Sequence, residues 1–215
     1  MTEHRSNNFD SVAKFYDALA RIVFGRSMFK AQTFYLSEIS PDAKVLILGG
    51  GTGWMLNELI KINVTCPIWY IDSSSKMLEQ SRQMAQRAKQ KIHFILGTES
   101  SIPSDIQFDV VITNFFLDLF TEASCDKIVG RIRNSLHRDS QWIMTDFENL
   151  TWWHAVMLKA MYSFFKVTSA IEASQLPPFD LLFVKNGMAV RKSEFFYGRF
   201  IKTSLLGLND KVTTA

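Results

Sequence analysis

An apolar tetrad running into a glycine cluster, Val45-Leu46-Ile47-Leu48-Gly49-Gly50-Gly51-Thr52-Gly53, constrains this chain more than any other segment. Glycines at a strand-to-helix turn admit positive φ and carry no Cβ, so the backbone can approach a bound group while helix N–H groups turn toward it. A second apolar run, Ile68-Trp69-Tyr70-Ile71, ends in Asp72, which follows Gly53 by 19 positions (72 minus 53). A carboxylate at the tip of the next strand accepts hydrogen bonds from both hydroxyls of a ribose, and such charge-assisted bonds are stronger than neutral ones. The spacing predicts a strand, glycine turn, helix and second strand that together hold a nucleoside.

The glycine register narrows which nucleoside. A dinucleotide fingerprint, G-x-G-x-x-G/A, would put Trp54 at its third position counted from Gly49, or Leu56 counted from Gly51. A P-loop requires Gly-Lys-Ser/Thr at the helix start, where this chain reads Thr52-Gly53-Trp54-Met55. Neither fits. What fits is G-x-G-x-G at Gly49, Gly51 and Gly53, with Gly50 inside the turn.

In that form the segment resembles the first motif of the class I S-adenosylmethionine-dependent methyltransferases. Asp72 through Leu78, with Ser74 and Met77, is similar to the family's Asp-x-Ser-x-x-Met-Leu. Gly97-Thr98-Glu99-Ser100-Ser101-Ile102-Pro103 sits where the family has its adenine loop, and Phe108 through Asn114 follows as a fourth strand. Upstream, Phe9 to Asp17 is similar to the amino-terminal segment of the quinone-biosynthesis-like small-molecule methyltransferases. The resemblance implies S-adenosyl-L-methionine as cofactor. It also implies contacts from Tyr16, Gly49, Gly50, Gly51, Gly53, Asp72, Ser73, Met77, Thr98, Glu99, Ser100, Asn114 and Phe115.

Three departures accompany the matches. The family's acid two places before the first glycine is Ile47 here, its adenine-loop Asp is Thr98, and its Gly-Gly turn before the fifth strand is Asp139-Ser140. Losing one charged partner costs roughly 1–3 kcal/mol, or about tenfold or more in affinity. Two readings therefore stand: an active methyltransferase, or a weak or inactive cofactor-binding module with a regulatory or partner-binding role.

At 215 residues and 47% hydrophobic content the chain is long enough for one α/β domain with a sizeable core. Strands are expected near 44–48, 67–71, 91–96, 108–113 and 141–147, with helices near 9–24, 28–39, 53–63, 75–90 and 122–137. That alternation is the pattern of a parallel sheet covered on both faces. With the resemblance it implies a Rossmann-like, doubly wound, seven-stranded sheet, mostly parallel with an antiparallel C-terminal hairpin, in three α/β/α layers. Residues 1–215 are expected as one domain, with 1–40 as a helical cap over the cofactor edge and 151–187 as a helical lid.

Cys66 and Cys125 are far apart and lack partners at metal-ligand spacing, so neither a disulfide framework nor a metal site is indicated. The start is polar and no run of about 18 apolar residues occurs, so a cytoplasmic protein without an integral membrane segment is expected. A net charge of +3 with dispersed basic residues points away from nucleic acid and toward a small-molecule substrate. The 152–167 stretch reads as a helix with a broad apolar surface that packs on the sheet, and a membrane-surface helix is its alternative.

Methyl transfer is an in-line displacement, so alignment and a dry pocket supply much of the rate. Aromatic residues crowd the fourth- and fifth-strand tips, and Phe116, Phe147, Trp152 and Trp153 are the expected walls for an aromatic or lipophilic acceptor. Asp118, in Leu117-Asp118-Leu119-Phe120, and His154 are the candidate general bases. Asp146 and Glu148 flank Phe147 at the same edge.

Overall fold

The computed structural model describes residues 23–62, 65, 67–168 and 171–209. Tyr16, Cys66 and nearly all of the helix expected at 9–24 lie outside the described residues. In chain order the elements are α1 (Arg26–Thr33), β1 (Val45–Leu48), α2 (Trp54–Lys61), β2 (Ile68–Asp72), α3 (Ser75–Met84), β3 (Ile92–Leu96) and β4 (Phe108–Asn114). Then follow α4 (Glu122–Asn134), β5 (Leu136–Phe147), α5 (Trp152–Thr168), α6 (Phe179–Lys185), β6 (Met188–Phe196) and β7 (Ile201–Leu208), with single 3-10 turns at Leu36–Glu38, Glu99–Ser101 and Leu117–Leu119.

The strands form one seven-stranded sheet in the order β3-β2-β1-β4-β5-β7-β6. β1 to β5 run parallel, while β7 pairs antiparallel with both β5 and β6. Strand order reverses at β1, between β2 and β4, which is where an open α/β sheet leaves a crevice at its carboxyl edge.

Period-two alternation assigns each β1 side chain to a layer. Val45 and Ile47 enter one core with Leu56 and Leu59 of α2 and Leu78 of α3, whereas Leu46 and Leu48 enter the other with Ile128, Val129 and Ile132 of α4 and Phe183 of α6. All four β1 side chains are buried, and each such burial contributes roughly 1.5–3 kcal/mol. A third cluster, at the carboxyl edge, joins Phe24, Met28, Phe115, Phe147, Leu158, Tyr162 and Phe200.

Several expected boundaries shift. The helix expected at 28–39 is α1 followed by the Leu36–Glu38 turn, and α1 packs on β6 and β7, with the Thr203 hydroxyl donating to the Ala31 carbonyl at 2.8 Å. α3 ends at Met84 rather than near 90, where Ala85 and Ala88 turn onto the core ahead of β3. β5 begins five residues before the expected 141 because Leu136 already pairs with Phe108. Asp139-Ser140 is consequently part of an irregular strand rather than a turn. The register passes from Phe108↔Leu136 to Val110↔Gln141, and Ser140 Oγ ties the excursion by donating to the Phe108 carbonyl at 2.7 Å while accepting from the His137 amide at 2.9 Å.

Candidate functional site

Three of the turn glycines occupy the left-handed region, with φ of 69° at Gly49, 63° at Gly51 and 86° at Gly53. Their surroundings differ. A Cβ at Gly49 would stand 2.3 Å from the Phe116 ring, and one at Gly50 would stand 2.2 Å from the Tyr70 ring. A Cβ at Gly51 would meet nothing within 4 Å among the described residues, which leave open space at the centre of the turn.

Asp72 is buried beside that space, at 8% exposure. The Gly51 amide donates to its Oδ2 and the Ser74 amide to its Oδ1, each at 2.8 Å. These two bonds fix the carboxylate plane. The other side of the turn is held by Tyr70, whose hydroxyl donates to the Gly51 carbonyl at 2.9 Å and lies 2.9 Å from Ser81 Oγ. The sequence places Tyr70 only within the second apolar run and gives Ser81 no role. The only sequence signal for Tyr70 was its inward position in the β2 alternation.

The other residues of the cofactor half divide by setting. Ser73 is exposed, while Ser74 caps α3 by accepting from the half-buried Met77 amide at 3.2 Å. The Gly97 amide donates to the Asp72 carbonyl at 3.0 Å, which brings the Thr98–Ser100 turn beside the Asp72 tip. Thr98 Oγ1 sits 2.9 Å from Ser100 Oγ and accepts from the Ser100 amide, while Glu99 opens the turn. Ile47, at 2% exposure, faces the α2 and α3 core and carries no group toward the crevice. Asn114, at the β4 tip, has a buried Oδ1 with no hydrogen-bond partner among the described residues.

Past Asn114 the chain enters the aromatic cluster. Phe115 adopts φ 48°, a conformation costing a non-glycine residue about 1–2 kcal/mol, and its amide is anchored to the Thr145 carbonyl at 2.7 Å. Its ring lies 4.8 Å from that of Phe147, which in turn lies 5.0 Å from Phe200 and 5.6 Å from Phe24. Trp153 joins through Phe200 at 5.6 Å, and Phe116 packs on Phe120 at 5.0 Å beside the glycine turn. Trp152 is not brought into this cluster, being 80% exposed. Phe24 and Phe200 complete the cluster from distant segments that no local pattern pointed to.

Asp118 is buried on the Leu117–Leu119 turn, and its Oδ1 has no hydrogen-bond partner among the described residues. Its amide donates to Asp146 Oδ2 at 3.4 Å, and the Phe147 amide donates to Asp146 Oδ1 at 2.9 Å. Burial pushes the Asp118 carboxyl up to about 7. Burial and then the Asp118 charge hold Asp146 well above the usual carboxylate range. Two adjoining buried acids of this kind share protons rather than both ionising. Burial likewise pushes the Cys125 thiol up to about 12, consistent with a passive side chain.

His154 is fully buried, with both ring nitrogens engaged. Nδ1 accepts from the Leu150 amide at 3.0 Å, and Nε2 lies 3.2 Å from the Gly198 carbonyl. Accepting at Nδ1 assigns the proton to Nε2 and leaves no ring lone pair for a substrate. The histidine joins the start of α5 to the β6–β7 turn, where Tyr197, Gly198 and Arg199 all have positive φ.

The methyltransferase-domain family profile matches residues 45–139. The demethylmenaquinone methyltransferase of Thermotoga maritima is 30% identical over 148 residues, which is 67% of this chain and 62% of that protein. The chain belongs to the class I S-adenosylmethionine-dependent methyltransferases. It spans less than two thirds of the length of that curated relative. The family fold also appears in the magnesium protoporphyrin IX methyltransferase of Synechocystis PCC 6803 with bound SAH. That structure has a TM-score of 0.65 at 16% identity, covering 86% of this chain and 83% of the other. The Pyrococcus horikoshii protein PH0226 has a TM-score of 0.66 at 18% identity, covering 91% and 99%.

The residues of this family member fit the adenosine half of S-adenosylmethionine. Open space beside Gly51, the fixed Asp72 carboxylate and the Asn114 Oδ1, which has no partner among the described residues, would supply the cradle, the ribose acceptor and an acceptor for an amino group. No acid stands on β1 for the methionine end, because Ile47 is sealed in the core.

Proposed function

We propose that this chain transfers the methyl group of S-adenosylmethionine to a small aromatic or lipophilic acceptor in the cytoplasm, by direct in-line displacement. The observation that carries the reading is the adjacency of two environments at one sheet edge. The polar glycine and Asp72 cradle ends at Asn114, and the next residue, Phe115, opens the buried aromatic cluster. The Thermotoga maritima relative is named for a quinone substrate, which is planar and apolar, and flat aromatic walls suit that class.

In this reading Asp72 holds the ribose, Asn114 and backbone carbonyls take the amino group, and Phe116 closes the turn. The bound cofactor supplies the electrophilic methyl. Phe115, Phe147 and Trp153 exclude water and align the acceptor, and Asp118, paired with Asp146, takes a proton where the acceptor must lose one. His154 braces the lid formed by 151–187.

Thermal melting with S-adenosylhomocysteine tests the cofactor step, with an expected rise of about 5–10 °C at a hundredfold excess over Kd. No shift at millimolar ligand, together with no effect of Asp72→Ala on ligand binding, would sink the enzyme. A second reading, a weak cofactor-binding regulatory module, rests on the buried Ile47. It predicts ligand binding without turnover across a panel of quinones and phenols.

A further inference from the structure

Packing on the sheet does not account for the outward face of α5. Leu158 and Tyr162 are buried in the carboxyl-edge cluster and Phe165 is buried on the same helix, yet Trp152 is 80% exposed, Val156 57% and Phe164 37%. Helical periodicity puts Trp152, Val156, Ala160 and Ser163 along one outward strip, with Phe164 at one margin. Lys159 and Lys166, both exposed, line the opposite margin. Leu150, just before the helix, adds another apolar side chain at 49% exposure. From Trp152 to Thr168 there is no Asp or Glu.

Exposed large apolar side chains on a soluble domain are normally scattered singly, and a contiguous set marks an interaction surface. This one pairs a tryptophan and aliphatic strip with a cationic margin, the arrangement of a helix lying in the plane of a bilayer surface. The tryptophan ring suits headgroup depth, and lysine stems run along the apolar strip so that their ammonium groups reach anionic phosphates. A protein partner would call for more directional groups than the single Ser163 hydroxyl within the strip. No described helix is long and apolar enough to cross a membrane, so the contact is tangential.

We propose that the outward face of α5 docks this protein on an anionic membrane surface. The opposite face of the same helix roofs the aromatic cluster, so docking would set the acceptor site against the lipid from which an apolar acceptor partitions. The delivery step rests on the acceptor reading above; the docking surface does not.

Vesicle flotation tests it, using phosphatidylcholine vesicles with and without phosphatidylglycerol. Wild type is expected to float with the anionic vesicles, less with neutral ones, and less at high salt. Lys159→Glu/Lys166→Glu should weaken partitioning by about tenfold or more, at roughly fivefold per lysine removed. Val156→Glu, on the solvent side of the helix, should abolish flotation while leaving the melting temperature and S-adenosylhomocysteine binding in solution unchanged. Absence of wild-type flotation, or flotation of both variants at the wild-type level, overturns the proposal. So does a lipid-free dimer, seen by light scattering, that Val156→Glu dissociates, because it assigns the strip to a second copy. Failure of the cofactor reading registers separately, as the absence of a ligand-induced melting shift in solution.

Discussion

The two halves of the carboxyl edge are built by opposite means. Around β1 and β2 the site is polar and local. Gly51 is held from both sides by Asp72 and Tyr70, 21 and 19 residues away. Around β4 and β5 it is apolar and distant, with Phe24, Phe115, Phe147, Trp153 and Phe200 meeting from five segments. The buried Asp118 there keeps an oxygen without a hydrogen-bond partner among the described residues. Under the proposed function, the cofactor is gripped by backbone geometry that tolerates few residue types, and the acceptor is enclosed by side chains that can be exchanged at modest cost.

Substitutions can break that contrast. Asp118→Asn is expected to have the largest effect, lowering turnover by about 10²–10⁴-fold on an acceptor that must lose a proton, with S-adenosylhomocysteine affinity unchanged. Wild-type turnover should rise with pH through about 7 as the Asp118 carboxyl ionises. Stability moves the other way. The folded state binds this proton more tightly than the unfolded chain, so its contribution is lost as pH rises from about 4 to about 7 and is level above that. Asp118→Asn should therefore melt higher than wild type above pH 7, a difference that shrinks toward pH 4. A flat pH profile for both activity and melting would remove the buried acid pair from the mechanism.

Asp72→Ala should weaken S-adenosylhomocysteine binding by about a hundredfold in calorimetry, because charge-assisted bonds to ribose and the fixed Gly51 amide are lost together. Asp72→Asn should fall between the two. An equal loss in Phe147→Leu would erase the division between the halves.

The glycines sharpen the contrast within the cofactor half. Gly50→Ala pushes a methyl into the Tyr70 ring and should destabilise the fold by about 1–3 kcal/mol in denaturant unfolding. Gly51→Ala meets open space, so its fold cost should stay near the 1–2 kcal/mol of the left-handed backbone, while ligand affinity falls further than in Gly50→Ala. Tyr70→Phe should be mildest, weakening ligand binding about fivefold through one lost hydrogen bond to the turn, with little change in melting.

The glycine turn, Asp72 and the parallel β1 to β5 order were readable because each depends on contacts within one βαβ unit, where φ, chain reversal and strand period restrict the residue types. Asp118 was readable as a candidate from its place after β4, but Asp146 as its partner was not, since the contact joins the Leu117–Leu119 turn to the end of β5, 28 residues away. His154 looked like a base because a lone histidine beside a strand tip carries no sign of its partners. Only the folded β6–β7 turn supplies the Gly198 carbonyl that engages it. Trp152 and Trp153, adjacent in sequence, part on folding because a helix rotates neighbours apart, leaving one outside and one on Phe200.

What the sequence determined by itself is the nucleoside-binding half, whose chemistry is written in backbone constraints at short range. Only the tertiary structure decided the aromatic half, because burial and aromatic contacts arise when segments far apart in the chain exclude water together.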